Sequence, residues 1–136
     1  GTLMHRILSQ IETLDRIDDT IAAFVRSGEL SESESKSIRE DINRWLADER
    51  VSSWFSPEVN VWTEREILQP DGSFYRPDRV VETDNEVIVV DYKFGNVERA
   101  SYKRQVNTYA SLIEKMGYDR VSGFIWYVSL GKLERV

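Results

Sequence analysis

The run Val87-Ile88-Val89-Val90-Asp91-Tyr92-Lys93 constrains this chain more than any other stretch. Four apolar β-formers predict a buried strand, and that strand ends abruptly in a carboxylate and an amine. Residues two apart on a strand share a face, so Asp91 and Lys93 project together. Charges at the end of a buried element are costly unless something compensates them. Just upstream lies Phe74-Tyr75-Arg76-Pro77-Asp78-Arg79-Val80-Val81, and Thr83-Asp84-Asn85-Glu86 reads as a tight hairpin turn between the two strands. With Asp84-Asn85 as the loop, Thr83 faces Glu86, and counting back along both strands sets Asp78 opposite Asp91. Directly opposed residues have Cβ atoms roughly 5 Å apart, and like charges so placed repel. Two carboxylates that close, beside a lysine, suit a divalent cation.

A chain of 136 residues is long enough for one sizeable core, so a single domain over 1–136 is expected. With 40% hydrophobic and 31% charged residues it is neither disordered nor membranous in composition. No apolar run approaches the ~20 residues needed to span a bilayer. The absence of cysteine excludes disulfides, thiolate nucleophiles and cysteine-ligated iron–sulfur clusters, and fits a cytoplasmic protein. A net charge of −6 argues against indiscriminate nucleic-acid binding. It is compatible with a metal-dependent enzyme on DNA, because site carboxylates attract cations that then meet phosphates. The abrupt start at Gly1-Thr2 reads as a cut from a longer chain.

Residues 1–57 read as helical. Met4, Ile7, Leu8, Ile11 and Leu14 form one apolar stripe. A second helix is expected from about Asp18 to Ser27, with Asp18 or Asp19 as cap and Gly28 as stop. Ser31 with Glu34 is a capping-box signature opening a third helix, whose inner face is Ile38, Ile42, Trp45 and Leu46. Val51 to Pro57 leads out of this region. From residue 58 the period changes. Val59 to Leu68 reads as a strand, Pro70-Asp71-Gly72 as a turn, Ser73 to Thr83 as a second strand and Glu86 to Lys93 as a third, an antiparallel meander. Pro77 cannot donate to a ladder and predicts an edge or a bulge. A helix follows from about Val97 to Met116, stopped by Gly117. Val121 to Ser129 is the next strand, with Lys132 to Val136 as a short hairpin partner. The fold class is α/β: helices, a three-strand meander, a helix and a strand. No phosphate-binding loop of the G-x-x-x-x-G-K-[ST] type occurs.

Asp78, Asp91 and the backbone carbonyl of Tyr92 offer oxygen ligands for Mg²⁺ or Mn²⁺. Such an ion would lower the pKa of a bound water and neutralise a scissile phosphate, and Lys93 would orient that water or steady the transition state. The plainer alternative makes Asp91–Lys93 a surface ion pair and Asp78 a turn residue. His5, the only histidine, lies one position off the apolar stripe and is a candidate ligand. Gln105 and Tyr109 share a helix face, preceded by Tyr102, Lys103 and Arg104.

These residues together resemble the RecB-like branch of the PD-(D/E)XK nucleases, as found at the end of UvrD/Rep-type recombination helicases such as RecB and AddA. Gly1-Thr2-Leu3-Met4-His5 is similar to the family's opening G-T-x-x-H, Arg76-Pro77-Asp78 to its second motif and Asp91-Tyr92-Lys93 to its D-Y-K third motif. Tyr102-x-x-Gln105-Val106-x-x-Tyr109 is similar to the Q-x-x-x-Y element that marks the branch. Tyr75 or Arg76 stands where the second motif usually carries glycine. The resemblance implies a restriction-endonuclease-like mixed central sheet flanked by helices. It implies metal binding by His5, Asp78 and Asp91, a catalytic Lys93, and Gln105 and Tyr109 as residues that position the strand or support the site. Glu64 occupies a place where relatives often carry a glutamate.

The expected activity is a Mg²⁺-dependent DNA exonuclease without an iron–sulfur cluster, with Mn²⁺ as a substitute, leaving 5′-phosphate and 3′-hydroxyl ends. Its expected partners are single-stranded DNA, a helicase motor in the same polypeptide and a second helicase-nuclease subunit, in recombination and double-strand-break repair. Arg76, Arg79, Arg99, Lys103 and Arg104 are candidates for backbone contacts, and Tyr102 for base stacking. The competing expectations are a catalytically silent DNA-binding or scaffold domain and a stand-alone endonuclease.

Overall fold

The computed structural model describes residues 2–95 and 97–136. Gly1, the first residue of the G-T-x-x-H stretch, lies outside the described residues. The chain divides into two compact units, residues 1–59 and 60–136.

The first unit is helical. α1 (Thr2–Gln10) buries Ile7 and Leu8 and ends one turn earlier than its apolar stripe suggests. Thr13 is extended, with φ −140° and ψ 163°, and Leu14 falls in a separate 3-10 turn (Leu14–Arg16) where it is partly exposed. α2 (Ile17–Arg26) is preceded by Arg16, which makes no side-chain cap. Asp18 and Asp19 are therefore first-turn residues favoured by the helix dipole rather than caps. Gly28 takes φ 82° past its end, a conformation that only glycine adopts without strain.

Ser31 caps α3 (Glu32–Leu46) as its spacing predicts. Its Oγ accepts from the Glu34 N–H at 3.1 Å while its own N–H donates to Glu34 Oε1 at 3.1 Å. Ile42 and Leu46 are buried, and Ile38 and Trp45 are half-buried. The stretch from Val51 to Pro57, expected to be a way out, is helical over most of its length. Asp48 caps a single turn, α4 (Glu49–Ser52), and a 3-10 turn follows at Ser53–Phe55, together burying Val51, Trp54 and Phe55. Those apolar side chains need a buried face, and a helical turn supplies one where an extended exit would expose them.

The second unit holds a five-stranded mixed sheet in the order β1-β4-β5-β6-β7. These are β1 (Asn60–Val61), β4 (Arg79–Glu82), β5 (Val87–Lys93), β6 (Val121–Tyr127) and β7 (Lys132–Arg135), with β5 and β6 parallel and the other pairs antiparallel. α5 (Ala100–Lys115) is the crossover that a parallel pair requires. Two expected long strands are each broken. Val59–Leu68 splits into β1 and β2 (Ile67–Leu68), and Ser73–Thr83 splits into β3 (Phe74–Tyr75) and β4. β2 and β3 form their own small hairpin around Gly72, which has φ 88°. The second break falls at Arg76–Asp78, where Pro77 has no N–H for a ladder.

α5 packs on the face that carries Val80, Val87, Val89, Ile125 and Tyr127, contributing Val106, Tyr109 and Ile113. The approach is close at Gly123. A Cβ there would stand 2.7 Å from Val106 Cγ1 and from Val136 Cγ2, so any larger side chain would force those two valines to shift. The opposite face of β5 carries Ile88, Val90 and Tyr92, and the Tyr92 ring meets Trp126 edge-on at 5.7 Å. Among the described residues no helix is long and apolar enough to cross a membrane.

Candidate metal centre at the end of the sheet

The β4–β5 register pairs Arg79 with Val90 and Glu82 with Val87, and the Thr83 N–H donates to the Glu86 carbonyl at 2.9 Å. One step beyond Arg79–Val90, Asp78 stands opposite Asp91, as the turn predicts. The two aspartates are interlocked through the main chain. The Asp78 N–H donates to Asp91 Oδ1 at 3.1 Å, and the Tyr92 N–H donates to Asp78 Oδ2 at 2.8 Å. Asp91 Oδ2 accepts from the Tyr75 hydroxyl at 2.7 Å. These donors fix both carboxylates in place, and they explain how a buried Asp91 beside a half-buried Asp78 is tolerated.

Electrostatics at this point favour an added positive charge. Asp91 is only 3% exposed. Burial first, and the adjacent Asp78 charge second, push its carboxyl up to about 6. Lys93 works the other way on Asp91, from two residues along the same face. Its ammonium lies 4.1 Å from the centroid of the Tyr102 ring, a cation–π contact that holds the side chain over α5. Burial and the Asp91 charge drive the Tyr75 phenol far above its ordinary value, so it remains a proton donor throughout the working pH range.

The Tyr92 backbone carbonyl is the third candidate oxygen. Val87 turns its N–H to the Arg120 carbonyl on the β6 side, whereas Glu86 turns its carbonyl to Thr83 on the β4 side. Amides alternate along a strand, so Tyr92 also addresses the β4 side, where the register puts Pro77 opposite it. Proline has no N–H to give the Tyr92 carbonyl. Two carboxylates and a backbone carbonyl are hard oxygen ligands, the chemistry that Mg²⁺ and Mn²⁺ take. Among the described residues no group of three or more His, Asp or Glu side chains is drawn together to hold a metal ion. Asp78 and Asp91 are thus a two-carboxylate set. His5 is a half-buried residue of α1 in the helical unit, its carbonyl accepting from Ser9 Oγ at 2.7 Å.

Tyr109, buried on α5, meets the Tyr75 ring edge-on at 6.0 Å and 74°, and so braces the phenol that bonds Asp91. Gln105 is half-buried one turn earlier on the same helix. Arg76, Arg99 and Arg104 are exposed, Tyr102 is half-buried, and the exposed Lys103 is ion-paired with Glu134. Arg79 corrects the expectation of a surface contact. It is 2% exposed on β4 and its guanidinium donates to the Tyr92 hydroxyl, so it belongs to the sheet interior and does not reach a DNA backbone.

Two residues beside the acidic pair carry no sequence signal. Strict alternation puts Tyr75 on the face away from Asp78, and the break at Pro77 turns it back. Arg65, in the loop between β1 and β2, lies within electrostatic reach of Asp78, Tyr92 and Tyr109. Glu64, beside it, is exposed and lines a cleft with Arg65 and Arg76.

No curated protein matches the sequence significantly. The whole chain, residues 1–136, does match the family described as the PD-(D/E)XK nuclease superfamily, and the mixed sheet with its helices is the restriction-endonuclease-like fold of that family. The acidic pair at the strand ends and the lysine two residues on stand where that family's name sets its acidic residues and lysine. This chain belongs to the PD-(D/E)XK nuclease superfamily.

Proposed function

We propose that this chain is a Mg²⁺-dependent DNA exonuclease module, acting on a single strand delivered by a UvrD/Rep-type helicase motor of the same polypeptide during recombinational repair. The observation that carries the reading is the interlocked Asp78–Asp91 pair with Lys93 on the same face. The RecB-like Q-x-x-x-Y element, Gln105 to Tyr109, supports the choice of branch.

In this reading Asp78, Asp91 and the Tyr92 carbonyl hold the cation, with His5 as the further ligand that the motif resemblance assigns. A cation held there would supply charge neutralisation at the scissile phosphate and a lowered pKa for the attacking water. Lys93 presents a fixed positive charge for the negative charge that develops on the phosphate oxygens. Tyr75 keeps Asp91 oriented, and Tyr109 keeps Tyr75 in place. Arg76, Lys103 and Arg104 are the backbone contacts, Lys103 exchanging Glu134 for a phosphate, and Tyr102 offers a ring for stacking.

The experiment is incubation of the chain with linear and with covalently closed circular single-stranded DNA, with Mg²⁺ or Mn²⁺ and with neither. Metal-dependent loss of the linear strand with survival of the circle is the expected result. Cleavage of the circle would make the chain an endonuclease, and persistence of both would make it a silent binding domain.

A further inference from the structure

Arg65 sits among Thr63–Glu66, the loop that separates β1 from β2. Its Nε is buried and has no hydrogen-bond partner, an expensive condition for a cationic donor. Burial first, and the charge of Arg76 second, hold its guanidinium below the ordinary arginine range. The two arginines line one cleft of about 300 Å³ together with Thr63, Glu64 and Glu66. Both glutamates are exposed, and among the described residues neither arginine is ion-paired with them. A folded chain thus holds two like charges near each other, one of them with an unmet buried donor and within electrostatic reach of Asp78. An anion entering the cleft would relieve both conditions at once. The guanidinium fork matches phosphate oxygens in geometry as well as charge.

We propose that Arg65 and Arg76 clasp one phosphodiester of the bound DNA strand, next to the phosphate cut at the acidic pair. The proposal rests on the nuclease reading and adds to it a second point of attachment that fixes how the strand lies across the site. Arg65 is here a positioning residue. Its unmet donor in the free chain is a cost to folding that DNA binding recovers.

The test uses the full chain and short single-stranded oligonucleotides in which one phosphate at a time is replaced by a neutral methylphosphonate. Binding is read by fluorescence anisotropy with Ca²⁺ in place of Mg²⁺. The wild type should lose roughly 10-fold or more in affinity when the clasped phosphate is neutralised, the size of a lost charge-assisted hydrogen bond. Arg65→Met should bind the unmodified strand more weakly by a similar factor and should ignore neutralisation at that one position. Its melting temperature without DNA should equal or exceed that of the wild type, the opposite of what loss of a structural arginine gives. Arg65→Lys, which keeps the charge but not the fork, should fall between the two and carries the test if Arg65→Met fails to fold.

An Arg65→Met chain with wild-type affinity, or with the wild-type pattern across positions, would overturn the proposal while leaving the nuclease reading intact. Stabilisation of the wild type by inorganic phosphate, with no position of the strand dependent on Arg65, would assign the cleft to a free anion and also overturn it. A wild type that neither binds nor cuts any strand would remove the nuclease reading itself, and the clasp with it.

Discussion

The β4–β5 and β2–β3 hairpins are both antiparallel and lie in the same compact unit, yet they treat their side chains in opposite ways. In the first, Arg79 and Asp91 are buried along with Val80, Val81 and the apolar residues of β5. In the second, Leu68 and Phe74 face each other across the ladder and are 63% and 66% exposed. Hydrophobicity by residue would have sorted these the other way. Burial is decided by the company that the register gives a side chain. Asp91 is kept inside by the Asp78 N–H and the Tyr75 hydroxyl, and Arg79 by the Tyr92 phenol. Leu68 and Phe74 oppose each other on a ladder that leaves both mostly in solvent.

That contrast breaks first at the acidic pair. Asp91→Asn and Lys93→Ala should each lower metal-dependent cleavage by at least about 100-fold, the usual cost of removing an electrostatic group from a reacting centre, with the circular dichroism spectrum unchanged. Equal activity in either variant would return the pair to a structural role.

The second effect is on stability against pH. Asp91 is raised to about 6, so the folded chain binds this proton more tightly than the unfolded chain does. Its stabilising contribution is complete below the ordinary carboxyl value, near pH 4, and is lost as the pH climbs through 6. The metal-free chain should lose roughly 3 kcal/mol from this group over that window, read by urea unfolding. Mn²⁺ should restore part of the loss above pH 6 and have no effect near pH 4.

Gly123→Ala tests the packing that holds α5, and with it Tyr109, over the site. Overpacking against Val106 and Val136 should cost roughly 1–3 kcal/mol in the same assay. Tyr75→Phe is milder. Loss of its hydroxyl should cost about 1 kcal/mol and, because that bond lowers the Asp91 pKa, should move the onset of cation binding to higher pH. The smallest effect belongs to the exposed hairpin, where Leu68→Ser with Phe74→Ser should change stability by no more than about 0.5 kcal/mol. A larger loss would mean that this hairpin is held as firmly as β4–β5.

The sequence made the β4–β5 register legible because a short turn leaves a single way to count back, from Thr83 and Glu86 to Asp78 and Asp91. The Ser31–Glu34 capping box was legible for the same reason, since each residue needs the other at a fixed spacing. Longer reach defeated it. Val59 to Leu68 alternates enough to resemble one strand, but the charged loop Thr63–Glu66 leaves the sheet before Ile67 joins a different partner. Alternation fails across Pro77, which hid Tyr75 from the site. Arg79 looked like a surface charge because its buried acceptor, the Tyr92 phenol, lies on another strand. Arg65 had no pattern around it, and its unmet donor is set by tertiary packing that no local spacing encodes.

A divalent-cation site at Asp78 and Asp91 must take up such an ion in solution. Titration calorimetry with Mn²⁺ tests it most directly, comparing the wild type with Asp91→Asn and His5→Ala above pH 7. A saturable heat is expected for the wild type, with its abolition in Asp91→Asn and a weaker affinity in His5→Ala. The same heat in Asp91→Asn as in the wild type, or none in the wild type, would contradict it.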